Sequence, residues 1–138
     1  MKITIGGSMT FAAEQIEAKK KLEERGFEVL ITDDIEHYVE RPAIKMNFEE
    51  ELALSLEYDV MRVFFNKIAS SDAFLVMNHD KKGVSGYIGT SALMEMGVAF
   101  HLGKKIFLLK DFDRTAPYAV EAALTLPIIL NGDLDAIK

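Results

Sequence analysis

The sequence predicts an α/β protein, a flavodoxin-like or Rossmann-like three-layer sandwich around a five-stranded parallel sheet in the order 2-1-3-4-5. Short apolar runs alternate with segments of helical periodicity along the chain, and turn residues such as Gly26 and Gly103 separate them. The 138 residues, 49% of them hydrophobic, are expected to form one domain spanning 1–138 with a core of its own.

In the first third of the chain, residues 2–5 are predicted as a strand, 11–25 as a helix and 27–31 as the second strand. Residues 32–46 follow without a clear period and are predicted as a loop. This loop is long enough for an active-site lid or a substrate loop.

Residues 48–69 are predicted to form one long helix or two short ones. Two apolar stripes run along this segment, and only one of them can face the sheet. The second stripe indicates a homodimer or larger homo-oligomer, although the 32–46 loop or the C-terminus could cover it instead. The stripes are Phe48, Leu52, Leu56, Val60 and Val63, and Leu54, Tyr58, Met61 and Phe65.

The third and fourth strands are predicted at 73–78 and 105–109, with a crossover helix between them. Gly89, Thr90 and Ser91 lie where that helix should begin, and Gly103 lies where it should end. A last helix is expected at 117–124 and a short final strand at 127–130.

Charge and composition argue against several classes of function. A net charge of -6 with a pI near 5.1 argues against a nucleic-acid partner, and the absence of cysteine excludes disulfides and thiolate catalysis. No spacing of His, Asp and Glu predicts a metal site, and no cofactor is expected. No apolar run is long enough to cross a membrane and no signal peptide is seen, so a cytoplasmic location is expected.

Glu95 is the first candidate catalytic residue. Between residues 92 and 102 only Glu95 and His101 can ionise, and a carboxylate in an apolar setting costs several kcal/mol unless it is paired or solvated. It would lie about two turns into its helix, near the carboxyl edge of the sheet, where the helix N-terminus is expected to keep it ionised. The alternative is a glutamate that points to solvent.

The run Met94-Glu95-Met96-Gly97-Val98-Ala99, followed by Gly103-Lys104 and an apolar strand, resembles the signature of the nucleoside 2-deoxyribosyltransferase superfamily. The specific part of the resemblance covers residues 87–109. It implies that Glu95 is a nucleophile that attacks the anomeric carbon of a nucleoside. Members of the family include transferases and 2'-deoxynucleoside 5'-monophosphate N-hydrolases.

Such a mechanism needs a proton for the leaving base. Asp80, just past the third strand, is the best-placed donor and His79 is the alternative. The competing interpretation of both is turn chemistry in Asp80-Lys81-Lys82-Gly83.

Three segments are candidates for substrate binding. The family's transferases carry an aspartate a few residues before the glutamate, whereas this chain has Gly89, Thr90 and Ser91, small residues that suit a phosphate. Gly6, Gly7 and Ser8 could supply a second set of donors, or form a tight turn without a ligand. Tyr87 and Phe11 could stack on a base or wall the pocket.

The sequence therefore predicts cleavage, by hydrolysis or transfer, of the N-glycosidic bond of a nucleoside or nucleoside 5'-monophosphate, a small-molecule partner. The monophosphate N-hydrolase branch is favoured. The alternatives are a non-catalytic nucleotide-binding or regulatory module and an NAD glycohydrolase.

Overall fold

A computed structural model describes residues 1–40 and 47–138, and the end of the predicted 32–46 loop lies outside them. Five parallel strands form one sheet in the order β2-β1-β3-β4-β5, which confirms the predicted fold class. The strands are β1 (Lys2–Gly6), β2 (Glu28–Leu30), β3 (Ala73–Val76), β4 (Lys105–Leu108) and β5 (Ile128–Ile129). The helices are α1 (Ala12–Glu24), α2 (Ile35–Glu40), α3 (Phe48–Glu57), α4 (Val60–Ala69), α5 (Thr90–His101) and α6 (Ala119–Leu124).

The two faces of the sheet carry separate apolar clusters because successive strand residues point to opposite sides. In β3, Ala73 and Leu75 pack with α1 and the C-terminal segment, whereas Phe74 and Val76 pack with α4, α5 and α6. In β4, Phe107 belongs to the first cluster and Ile106 to the second. The result is three layers, with the sheet in the middle.

The 32–46 segment is not entirely a loop. Residues Ile35–Glu40 form α2, which packs against α1 and buries only Ile35. A six-residue helix with a single buried position leaves no apolar period to detect, which explains why the prediction was wrong there.

The predicted 48–69 helix is two helices, because Asp59 adopts a left-handed conformation (φ 48°) between α3 and α4. Neither predicted stripe faces the sheet: Phe64 and Ile68 do so, and α3 buries no residue at all. The exposed apolar residues of the two helices and of the turn between them, here called the α3–α4 surface, are Phe48, Leu52, Leu54, Leu56, Tyr58, Val60, Met61 and Val63.

The C-terminus does not cover this surface. Ile137 is buried in the cluster that contains Leu22 of α1, on the opposite face of the sheet. Arg25 holds the segment there by donating hydrogen bonds to the carbonyls of Leu134 and Ile137, at 2.8 and 3.0 Å.

Within the described ranges, 1–40 and 47–138, every helix is too short or too polar to cross a bilayer.

Candidate functional site

The candidate site lies at the carboxyl edge of the sheet, where the turns after β1 and β3 meet. These strands are neighbours, but the helices that follow them, α1 and α5, lie on opposite faces of the sheet. Open α/β folds bind ligands in the crevice that such a reversal leaves. Gly6, Gly7 and Ser8 follow β1, and His79 begins the turn after β3.

Packing explains the two glycines of the first turn. A Cβ at Gly6 would lie 2.8 Å from the ring of Phe74, so only glycine leaves room for that ring. Gly7 has φ +135° and approaches the Met77 carbonyl. Both glycines are thus required by the fold, as the tight-turn interpretation holds, whether or not a ligand binds.

The chain after β3 forms a short hairpin. Lys81 and Val84 exchange two backbone hydrogen bonds, and Lys82 and Gly83 between them have positive φ, as in a type I′ turn. The Tyr87 N–H donates to the His79 carbonyl at 3.2 Å and closes the base of the hairpin. We call residues 79–87 the lysine hairpin.

Contacts of Lys81 connect the lysine hairpin to the β1 turn. Lys81 Nζ donates to Ser8 Oγ at 2.8 Å, and the Lys81 and Lys82 ammonium groups both lie 5.7 Å from the centre of the Tyr87 ring. The structure therefore brings Ser8 and Tyr87, two of the predicted site residues, around one pair of cations.

Phe11 and His79 also meet at this edge. Their ring centroids are 4.8 Å apart, and the Phe11 ring therefore packs on a histidine. The buried Nε2 of His79 and the buried Oε1 of Gln15 have no hydrogen-bond partner among the described residues. Gln15 is fully buried and donates through Nε2 to the Ser8 carbonyl at 3.0 Å.

Asp80 is tied into the lysine hairpin. Its Oδ1 accepts hydrogen bonds from the Gly86 N–H at 2.9 Å and from Lys110 Nζ at 3.0 Å. These two hydrogen bonds lower the pKa of Asp80 below its ordinary value. An ionised carboxylate has no proton to give, so the geometry favours the turn role over proton donation.

Gly89, Thr90 and Ser91 form the start of α5, as the sequence predicts. Gly89 caps the helix without a side-chain hydrogen bond, and Thr90 and Ser91 are exposed. The N–H groups of a first helical turn have no acceptor within the helix, and they attract anions. The preceding N–H, that of Ile88, is held by the Tyr118 hydroxyl at 3.2 Å.

Helical geometry fixes the flank of α5 that carries Glu95. Ala92, Met96 and Ala99 are buried and mark the side that faces the sheet. Successive helical residues turn by about 100°, so Leu93 and Glu95 lie on opposite flanks of that side. Because Leu93 lies towards Tyr118 before α6, Glu95 lies on the flank towards α4, which packs beside α5.

Glu95 is half-buried on this flank. No hydrogen bond or ion pair to it occurs in the part of the chain that the structure describes, and burial raises its pKa to about 8. The expectation that the helix N-terminus keeps Glu95 ionised was wrong. Glu95 is the sixth residue of α5, about 8 Å along the axis from Thr90, and the helix dipole acts mainly within the first turn.

A cleft of about 510 Å³ lies on the other flank of α5. Its lining includes three predicted site residues, Tyr87, Gly89 and Thr90, but Glu95 is not part of it. The full lining is Tyr87, Ile88, Gly89, Thr90, Leu93, Pro117, Tyr118 and Glu121. A ligand in this cleft would contact the start of α5 without reaching Glu95.

Among residues 1–40 and 47–138, no three His, Asp or Glu side chains are grouped so that they could hold a metal ion.

Sequence reasoning missed the cations of this edge. Lys81, Lys82 and Lys110 were not proposed as site residues, and the structure places all three beside predicted ones. The signal was present: two adjacent lysines occupy a turn at the carboxyl end of a strand in a chain of net charge -6.

No protein-family model matches the sequence, and no curated protein matches it significantly. Among solved structures, the chain is similar to the CMP N-glycosidase BcmB of Clostridium botulinum. The identity is 17%, the TM-score is 0.46, and the alignment covers 95% of this chain and 90% of that chain. A similarity this low carries no argument about activity.

Proposed function

We propose that the protein cleaves the N-glycosidic bond of a nucleoside 5'-monophosphate with Glu95 as the nucleophile. The observation that carries the proposal is a half-buried carboxyl group, without a partner among the described residues, whose pKa is raised to about 8. A buried carboxyl group without a partner costs stability, and such groups are concentrated in active sites. The resemblance of residues 94–99 to the nucleoside 2-deoxyribosyltransferase signature supports the same assignment.

The chemistry proceeds in two displacements. A Glu95 carboxylate oxygen bonds to C1' while the C1'–N bond breaks, and the bond's electron pair leaves with the base nitrogen, which takes up a proton. Water then attacks C1', the ester C–O bond breaks, and the carboxylate is restored with release of one proton. A second base in place of water would give transfer.

The ionised form of Glu95 is the nucleophile. With a pKa of about 8, only a minor fraction of the free protein carries that form at pH 7. We therefore expect kcat/KM for base release to rise with pH and to level off above about pH 8.

The cations of the crevice support a phosphorylated substrate. Lys81 is held by Ser8 rather than by a carboxylate, and Lys82 lies beside it over Tyr87. The exposed first turn of α5 begins at Thr90, three residues after Tyr87. Ammonium groups and free helical N–H groups are the donors that phosphate requires.

The test is chromatographic detection of free base after incubation with deoxynucleosides, their 5'-monophosphates, ribonucleotides and NAD. We expect release from a 5'-monophosphate, and Glu95→Gln should reduce it at least ~10³-fold while circular dichroism stays unchanged. Glu24→Gln is the matched control, because Glu24 is exposed at the end of α1 that lies away from the carboxyl edge of the sheet, so its substitution should have no effect.

The alternatives give different results in the same assay. Release of nicotinamide from NAD alone would indicate an NAD glycohydrolase. Thermal stabilisation by nucleotides without release of any base would indicate a binding or regulatory module. Full turnover by Glu95→Gln would contradict the nucleophile assignment.

A further inference from the structure

Three polar residues, Asn78, His79 and Asp80, follow β3 at the carboxyl edge, and their side chains have different partners. Asn78 is buried, and its amide donates to the Lys110 carbonyl at 2.7 Å and accepts from the Lys110 N–H at 3.0 Å. Asp80 accepts hydrogen bonds from Gly86 and Lys110. In contrast, the buried Nε2 of His79 has no hydrogen-bond partner among residues 1–40 and 47–138.

The half-buried imidazole of His79 points away from the side chains of its two neighbours. Asn78 and Asp80 reach Lys110, which follows β4, whereas His79 packs on Phe11, which follows β1. Strands β1 and β4 lie on opposite sides of β3. His79 is therefore the residue of this turn that faces the β1 turn with an unused ring nitrogen.

A buried polar atom without a partner is unfavourable, and a role in catalysis is one of the explanations for such an atom. The proposed reaction has a place for one. As the C1'–N bond breaks, its electron pair moves onto the base, and a donor is needed beside the charge that the base acquires. Asp80 does not supply this donor, because an ionised carboxylate only accepts hydrogen bonds.

Glu95 and His79 border the carboxyl edge from opposite faces of the sheet. The flank of α5 that carries Glu95 faces α4, and Phe64 of α4 reaches the β1 turn, where a Cβ at Gly6 would lie 3.3 Å from its ring. On the other face, His79 packs on Phe11 at the start of α1, with ring centroids 4.8 Å apart. A nucleotide bound between them would present C1' to Glu95 and its base to His79.

We propose that His79 is a further catalytic residue, which donates a hydrogen bond from Nε2 to the departing base. This inference rests on the proposed function. The neutral imidazole keeps its own proton and stabilises the negative charge on the base, which then takes a proton from water. The hydroxide that remains is neutralised by the proton released when water attacks C1'. For this contact the base enters beside the half-buried ring of Phe11.

The test compares two substitutions that place an amide N–H at different positions. His79→Gln puts its N–H near the position of Nε2, so kcat/KM for base release should stay within ~10-fold of wild type. The shorter His79→Asn does not reach that position and should lose ~10²-fold or more. His101→Asn is the matched control, because His101 is exposed at the far end of α5 and its substitution should have no effect.

A second readout distinguishes catalysis from a structural role. Each enzyme is also assayed on a counterpart substrate whose base leaves more readily, N7-methylated for a purine or 5-fluorinated for a pyrimidine. A base that needs less stabilisation depends less on the donor, so the loss in His79→Asn should be several-fold smaller on the counterpart. Circular dichroism checks the fold, and His79→Leu replaces His79→Asn if the latter does not fold.

Three results would overturn the inference: wild-type kcat/KM in His79→Asn, equal losses in His79→Asn and His79→Gln, or the same loss on both leaving bases. A wild-type protein that releases no base from any nucleotide would instead overturn the proposed function itself. The two failures are therefore distinguishable.

Discussion

At the scale of single residues, Glu95 differs from the other acidic groups at the carboxyl edge. Asp80 is exposed and bonded to an N–H and an ammonium, so its pKa is lowered. Glu95 is half-buried without such contacts, so its pKa is raised to about 8. At neutral pH Asp80 is therefore ionised, whereas Glu95 is mostly neutral.

Glu95 should make stability depend on pH. Its folded pKa of about 8 lies above the ordinary value of 4.5, so the stability from its neutral form is complete below pH 4.5 and is lost as pH rises through 8. We expect the free energy of unfolding of Glu95→Gln to exceed that of the wild type at pH 9 by a few kcal/mol, at about 1.4 kcal/mol per pKa unit. Outside the range between pH 4.5 and about 8, the free energies of unfolding of the two proteins should change with pH in the same way.

Urea denaturation of both proteins at pH 5, 7 and 9 provides the measurement. Glu57→Gln, at an exposed glutamate of α3, is the control and should show no such trend. A difference between Glu95→Gln and wild type that does not change with pH would show that burial of Glu95 does not shift its titration.

The role of Asp80 can be tested by removing only its charge. Asp80→Asn keeps an oxygen for the Gly86 N–H, so we expect base release to fall less than ~10-fold with an unchanged pH profile. A proton donor would instead lose ~10²-fold or more. Asp113→Asn is the control, because that carboxylate also has a lowered pKa from hydrogen bonds within its own turn.

At the scale of elements, β1 and α5 show two different uses of glycine. Gly6 ends β1 on the face that packs Phe74 and Phe64, and no larger residue fits there. Gly97 lies inside α5, and a Cβ at that position would meet no atom within 4 Å in the described structure. Glycine destabilises a helix interior relative to alanine, so the chain's own packing does not require Gly97.

Alanine substitutions at these two glycines should therefore act in opposite directions. Gly97→Ala should raise the free energy of unfolding by about 0.5–1 kcal/mol through helix propensity. Gly6→Ala should lower it by about 1–3 kcal/mol, because the methyl group overlaps the Phe74 ring. Chemical denaturation measures both, and destabilisation by Gly97→Ala would reveal an occupant of the space beside α5.

At the scale of the whole molecule, charge is distributed unevenly. The chain has a net charge of -6, but three lysines, Lys81, Lys82 and Lys110, gather around the turn after β3. Asp80 pairs with Lys110, and the ammonium groups of Lys81 and Lys82 attract an anionic ligand to this edge although the chain as a whole is negatively charged. The three lysines come together because the carboxyl ends of parallel strands lie at the same edge of the sheet.

The α3–α4 surface is the other feature of this scale. The sequence predicts apolar stripes in this region, but the structure shows that α4 uses Phe64 and Ile68, outside both stripes, to contact the sheet. A stripe on a helix identifies apolar residues without saying which of them the chain itself covers. Which residues are covered depends on how the helix packs against the sheet.

The sequence by itself determined the positions of all five strands, because parallel strands need continuous apolar runs and crossover helices need the 3.6-residue period. The order 2-1-3-4-5 was expected as the simplest arrangement of alternating strands and helices, and the structure confirms it. The sequence also singled out Glu95, since one carboxyl group in an apolar helix is visible without coordinates. Only the tertiary structure decided three other features. They are the flank of α5 that carries Glu95, the conformation of the lysine hairpin, and the hydrogen bonds that Asp80 accepts from Gly86 and Lys110. These features are contacts between segments distant along the chain or between side chains at a turn, and their free energies depend on distances that local sequence patterns do not encode.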